Sequence, residues 1–207
     1  MTSQTLSRVV LLGGTFDPLH NGHLEIARRA MAAISADQVW FIPNAQPPHK
    51  QIPAMATAGN RLSMVRAAIS NQPRFAVQDL EIRRTGPSYT VETLEELRRR
   101  HPSCDFFFVI GSDNFKSIGL WHRFSDLIRL CSFLVFERPG SPLACPPPDL
   151  PPEAAASMRY QVVKAPLFEA ASSEIRQRLA QGESVDHLLP PGVRQYIESH
   201  HLYHPTP

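Results

Sequence analysis

The chain of 207 residues has three cysteines, Cys104, Cys131 and Cys145, and none stands in a CxxC pair. An odd count without ligand spacing argues against a disulfide framework and against a zinc site. No apolar run approaches the roughly 18 residues that a membrane span needs. The N-terminus also lacks the long apolar stretch of a secretory signal. The formal net charge is only +2, too mild an excess to suggest a nucleic-acid or membrane surface as partner. These absences lead us to expect a cytoplasmic protein. Two phosphate-binding patterns are also missing after the first apolar run. Neither GxGxxG nor GxxxxGK[ST] follows it, which counts against a hydride-transferring dehydrogenase and a P-loop ATPase. There is no internal repeat and no apparent cluster of carboxylates.

What is present suits a globular core: 43% hydrophobic and 19% charged residues. The length suggests one domain, 1–207. Short apolar runs predict buried strands at Arg8–Leu12, Gln38–Ile42, Phe75–Val77, Leu80–Ile82, Asp105–Ile110, Ser132–Phe136 and Tyr160–Val163. Helical spacing predicts helices at Leu24–Ile34, Asn60–Ile69, Thr90–Arg100 and Phe124–Leu130, with a helical C-terminal part over 173–203 (Ser173–Ala180 and Gly192–His200). Strands alternating with helices predict an α/β protein with a Rossmann-like, doubly wound parallel sheet. The 20 prolines are about twice the average share. Many gather in Asn44–Pro53 and in 139–156, read as a loop and as an exposed loop or insertion.

The first strand runs into Gly13-Gly14-Thr15-Phe16-Asp17-Pro18-Leu19-His20-Asn21-Gly22-His23 and then into a helix. A strand, a glycine turn and a helix start aim backbone N–H groups and the positive end of a helix dipole at one point, where an anion binds. His20 and His23 share a face there, and both can donate to phosphate oxygens. Far downstream, Ser172-Ser173-Glu174-Ile175-Arg176 opens a second predicted helix. Either serine can cap it, Arg176 offers a planar fork on the same face, and Glu174 is a favourable first-turn charge directed to solvent. Two such helix starts can hold a triphosphate from two sides.

The HxGH run and the Ser-Ser-x-x-Arg element resemble the HxGH nucleotidyltransferase superfamily. Phe41-Ile42-Pro43-Asn44-Ala45-Gln46-Pro47-Pro48-His49-Lys50, Arg84 to Thr90, Ile110-Gly111-Ser112-Asp113, Trp121 and Arg138-Pro139-Gly140 narrow this. In family order, they resemble the bacterial nicotinate-nucleotide adenylyltransferases over about Val9 to Tyr203. Ala171 departs from the pattern, standing where that family usually carries a hydroxyl residue.

The resemblance implies transfer of the AMP part of ATP to nicotinate mononucleotide, giving nicotinate adenine dinucleotide and pyrophosphate in NAD biosynthesis. It implies an ATP site of Gly13, Gly14, Thr15, Phe16, His20, His23, Gly111, Asp113, Ser172, Ser173 and Arg176, with His20, His23 and Arg176 catalytic. It implies a nicotinate-nucleotide site of Asn44, His49, Lys50, Ser88, Tyr89, Thr90, Trp121 and Arg138. Mg²⁺ would be held mainly by the ATP phosphates, with no metal-ligating side chains. Plainer readings stand beside these roles. They make Phe16 and Trp121 core side chains and His20 a histidine satisfied by backbone. Asp113, Ser88 or Thr90 would be helix caps, His49 and Lys50 solvated surface, and Arg138 half of an ion pair. Arg98-Arg99-Arg100 reads as a solvated helix end, and His200, His201 and His204 as an exposed tail. Rival functions are a preference for nicotinamide mononucleotide or another phosphorylated substrate, and a non-catalytic nucleotide-binding module.

Overall fold

A computed structural model describes residues 7–46, 54–137, 143, 147, 150–164 and 171–204. Its strands and helices alternate: β1 (Arg8–Gly14), α1 (Asn21–Ala33), β2 (Gln38–Pro43), α2 (Ala58–Ile69), β3 (Phe75–Val77), α3 (Leu80–Arg83), α4 (Thr90–Arg100) and β4 (Asp105–Gly111). They continue with α5 (Ser112–Lys116), a 3₁₀ turn (Ile118–Leu120), α6 (Phe124–Leu130), β5 (Ser132–Phe136), α7 (Pro152–Ser157), β6 (Tyr160–Val163), α8 (Ser172–Ala180) and α9 (Pro191–Ser199). The six strands form one sheet in the order β3-β2-β1-β4-β5-β6. β1 pairs parallel with β4, setting Val9 opposite Phe106, and β4–β5 and β5–β6 are parallel as well. Val9, Val10 and Leu11 are fully buried, as a continuous apolar run must be in a sheet covered on both faces. This order is that of doubly wound dinucleotide-binding sheets, where ligands lie beyond the strands' carboxyl ends at the reversal of strand order. At the carboxyl end of β1 comes the Gly13–His23 run.

The chain divides into two compact units, one drawn from residues 1–12, 27–40 and 89–167, the other from 13–26, 41–88 and 168–207. In the first, α4 buries Val91, Leu94 and Leu97, the spacing its sequence predicts. Arg98 is not the solvated cation expected of a helix end. Its guanidinium donates to Leu130 O (3.0 and 2.9 Å) and Cys104 O (3.0 Å) and lies over the Phe106 ring, so it ties α4 to the last residue of α6 and to the turn before β4. Arg99 and Arg100 are exposed. In the second unit, α2 buries Arg61, Met64, Val65 and Ile69 along one face. α9 crosses α2 so closely that a Cβ on Gly192 would stand 2.9 Å from Ala67 O.

Three further predictions need correction. Leu80–Ile82 is the start of a single helical turn, not a strand: Arg83 N and Arg84 N donate back to Asp79 O and Leu80 O. A run of three residues is too short for periodicity to decide. Within the supposed proline-rich loop, 152–157 forms α7, with proline in its first turn, where a missing N–H is harmless. The rest of that stretch lies largely outside the described residues, as do His49, Lys50 and Arg138. Finally, neither Ser172 nor Ser173 caps α8; the cap position is Ala171, which has no side-chain bond to offer. Among the described residues no helix is long and apolar enough to cross a membrane.

Candidate active site

The turn after β1 is shaped by a close approach. Phe16 takes a left-handed φ of 50°, and its ring folds back over Gly14, where a Cβ would meet it at 2.9 Å. Only glycine leaves that space. The ring then packs edge-on against His23 (5.1 Å between centroids) and beside Phe41 (5.9 Å). Phe16 is therefore a core side chain.

His20 immediately precedes α1, and His23 lies in its first turn. Their ring centroids are 3.8 Å apart, and the backbone N–H of His20 donates to His23 Nδ1 at 3.2 Å. That bond uses the Nδ1 lone pair, so neutral His23 carries its proton on Nε2 and presents it as a donor. His20 is 7% exposed, and burial lowers its pKa from 6.5 to about 4. At neutral pH it is an uncharged imidazole, with one donor and one acceptor rather than a cation.

The helix α8 brings the second predicted anion element to this turn. Ser172 Oγ donates to Pro18 O at 3.1 Å, and Arg176 Nη1 donates to Asp17 O at 2.6 Å. The first intrahelical bond runs from Ile175 N to Ala171 O, so the N–H groups of Ser172, Ser173 and Glu174 precede it and have no intrahelical acceptor. Glu174 pairs with Arg178 at 2.6 Å instead of standing alone in solvent. Among the described residues, the buried side-chain nitrogen and oxygen atoms without a hydrogen-bond partner are His20 Nδ1, Asn44 Oδ1 and Arg176 Nε. Folded proteins keep few such atoms, and each calls for an explanation. All three belong to residues singled out in the sequence for ligand binding, and all three lie in one compact unit.

The segment holding Asn44 is braced from two sides. Asn44 N donates to Gly14 O (3.0 Å). Ser88 Oγ accepts from Ala45 N (3.2 Å) and Gln46 N (3.3 Å). The Ser88 oxygen thus shapes the loop, and neither Ser88 nor Thr90 caps α4, whose cap position is Tyr89. Tyr89, Thr90, Gly111, Asp113 and Trp121 belong to the first unit. Gly111 ends β4 and takes the cap position of α5, so Asp113, exposed in the first turn, is not the cap. Tyr89 lies 4.2 Å, ring to ring, from His122. Trp121 is half-buried, edge-on to Phe108 at 6.2 Å.

Two residues of the site, Asp17 and Arg61, escaped the sequence reading. Asp17, 4% exposed, accepts from Met55 N, Ala56 N and the Tyr203 hydroxyl. Arg61, 1% exposed, donates to Thr15 O (2.6 Å), Asn44 O (2.7 Å) and Ala56 O (3.3 Å), clamping the turn to the Asn44 segment. Burial lowers its pKa first, against the raising influence of Asp17. The available signals were Asp17's place inside the motif and a lone arginine four residues before Val65 on an apolar helix face.

A Rossmann-like sheet, an HxGH turn and a Ser-Ser-x-x-Arg helix start held against it define a nucleotidyltransferase. Residues 11–178 match the Cytidylyltransferase-like family. The chain is 42% identical over 200 residues to the probable nicotinate-nucleotide adenylyltransferase of Bacillus pumilus, covering 96% of this chain and 99% of that one. It is 44% identical over 196 residues to the protein of the same name from Exiguobacterium sibiricum, covering 95% and 98%. In fold it is similar to the Plasmodium falciparum nicotinic acid mononucleotide adenylyltransferase solved with NaAD, with a TM-score of 0.75, 20% identity, and coverage of 95% and 97%. The chain belongs to the nicotinate-nucleotide adenylyltransferase family.

Proposed function

We propose that this protein transfers the AMP part of ATP to nicotinate mononucleotide, releasing pyrophosphate and forming nicotinate adenine dinucleotide for NAD biosynthesis. The observation that carries this reading is the joining of the HxGH turn to the α8 start, where Arg176 Nη1 and Ser172 Oγ bond to Asp17 O and Pro18 O. An oxygen of the mononucleotide phosphate attacks the α-phosphorus of ATP. The bond from that phosphorus to the β-bridging oxygen breaks, and its electron pair leaves with pyrophosphate. The attacking phosphate is already anionic, so no general base is needed, and catalysis is positioning and charge stabilisation. His23, with its proton on Nε2, donates to the reacting phosphate, and neutral His20 donates beside it. Arg176 and the N–H groups of Ser172 and Ser173 hold the leaving pyrophosphate.

Among the described residues, no three His, Cys, Asp or Glu side chains gather as metal ligands, and the Asp17 carboxylate already accepts three hydrogen bonds. Mg²⁺ fits as a cation carried by the phosphates, where it neutralises their charge. In the same reading Gly111 and Asp113 contact the adenosine. Asn44, Ser88, Tyr89, Thr90 and Trp121, with His49, Lys50 and Arg138, serve the nicotinate end. A near-neutral chain, +2 in net charge, suits small-molecule substrates in the cytoplasm, with no nucleic-acid or membrane partner.

The test is incubation with ATP, Mg²⁺ and, in parallel, nicotinate mononucleotide, nicotinamide mononucleotide or phosphopantetheine, followed by separation of products. We expect the nicotinate dinucleotide to form fastest, and His23→Ala to lower its kcat by about 10²-fold or more. Faster turnover of another substrate overturns the assignment, and no adenylylated product from any leaves a binding module.

A further inference from the structure

The C-terminal end of α9 is built to deliver one hydroxyl to the site. Leu202 N donates to Ile197 O and His201 N to Glu198 O, the paired bonds of a Schellman turn. The turn residue is His201 at φ 49°, not glycine, and Tyr203 follows at φ 67°. Left-handed backbone at two bulky residues is unfavourable and persists only where the surroundings fix it. The outcome is a Tyr203 side chain 7% exposed, its hydroxyl 2.7 Å from Asp17 Oδ1 and 4.0 Å from Met64 Sδ. Burial first, and then Asp17, push the phenol's pKa upward, so the hydroxyl remains a donor.

Asp17 connects that hydroxyl to the site. Its Oδ1 accepts from Tyr203 and Ala56 N (3.1 Å), and its Oδ2 accepts from Met55 N (2.9 Å). On the other side Arg176 Nη1 lies 2.6 Å from Asp17 O and 3.7 Å from Asp17 Oδ2. Whatever fixes the Asp17 carboxylate therefore fixes the main-chain carbonyl that Arg176 leans on. Arg176 Nε is buried and unpartnered, so a shift of this guanidinium changes how it meets a ligand.

We propose that Tyr203 is a positioning residue for adenylyl transfer, acting through Asp17 on the Arg176 guanidinium. The inference rests on the role given to Arg176 above, as holder of the leaving pyrophosphate. It assigns the C-terminal turn a part in the reaction that its exposed neighbours His200, His201 and His204 do not suggest.

The test is a double-mutant cycle on kcat and KM with ATP, Mg²⁺ and nicotinate mononucleotide. Tyr203→Phe removes only the hydroxyl. Expected is a fall in kcat of about tenfold, the scale of one lost hydrogen bond to a charged group, with KM for nicotinate mononucleotide changed less than about twofold. In an Arg176→Gln background the same change should lower kcat by less than about twofold, because the residue it acts through is gone. A full tenfold fall in that background, or no fall in the parent, overturns the proposal. If Tyr203→Phe fails to fold, Asp17→Asn serves in the same cycle: it keeps the carbonyl and side-chain size but loses the charge beside Arg176. An inactive parent enzyme would sink the adenylyltransferase reading instead; an active parent indifferent to Tyr203→Phe sinks only this inference.

Discussion

At the scale of single residues, protonation and hydrogen bonding separate groups that residue identity leaves alike. The HxGH spacing names two histidines, but the fold makes them different groups. His23 is locked as an Nε2–H donor by a backbone N–H, and His20 is stripped of charge by burial. The second effect has a consequence for stability. Because burial holds His20 near 4 when its ordinary value is 6.5, the unfolded chain takes up a proton first as pH falls. His20's contribution is complete above pH 6.5 and is lost progressively toward pH 4. We expect the free protein to lose about 2 kcal/mol from this source between pH 6.5 and about pH 5. Urea unfolding at a series of pH values should show that loss in the parent and a flatter profile in His20→Asn. Equal slopes would mean that His20 titrates normally in the folded state.

At the scale of elements, the site is assembled from helix ends. α8 begins at Ala171, which supplies no side-chain oxygen to its first turn, whereas α2 begins at Thr57, whose hydroxyl accepts from Asn60 N at 3.2 Å. The comparison sets an expectation: Ala171→Ser should add the missing cap and raise stability by about 1 kcal/mol, read from the urea or thermal midpoint. An unchanged midpoint would show that another group already satisfies the start of α8. Ser172 Oγ and Arg176 Nη1 hold that start to Asp17 and Pro18, so a tighter first turn should leave those anchors where they are. One helix further on, α9 presses Gly192 against Ala67 of α2 and turns back through His201, which is how Tyr203 reaches Asp17.

At the scale of the whole molecule, the unpaired atoms His20 Nδ1, Asn44 Oδ1 and Arg176 Nε come from three separated stretches of chain. A ligand that engages all three binds the folded state alone and must stabilise it. With a non-hydrolysable ATP analogue and Mg²⁺ at about a hundred times Kd, the gain should be about 2.7 kcal/mol. A rise in melting temperature that survives intact in Arg176→Gln would place the triphosphate elsewhere. Much of this was legible in the sequence. Patterns of period two and 3.6, glycine turns and apolar runs depend on near neighbours, so the strands, the main helices, the glycine turn after β1 and the start of α8 could be read from them. The reading failed where local pattern was too weak to choose, as at Leu80–Ile82 and inside 152–157. It also failed where a polar side chain found partners remote in sequence. Nothing near Arg98 foretells the carbonyls of Leu130 and Cys104, and Asp17 lies 186 residues from Tyr203. The sequence by itself determined which groups could meet a phosphate, because donor chemistry belongs to residue types. Only the tertiary structure decided which of them are buried, neutral or held by a carbonyl, because desolvation and hydrogen-bond partners depend on what the fold packs around each group.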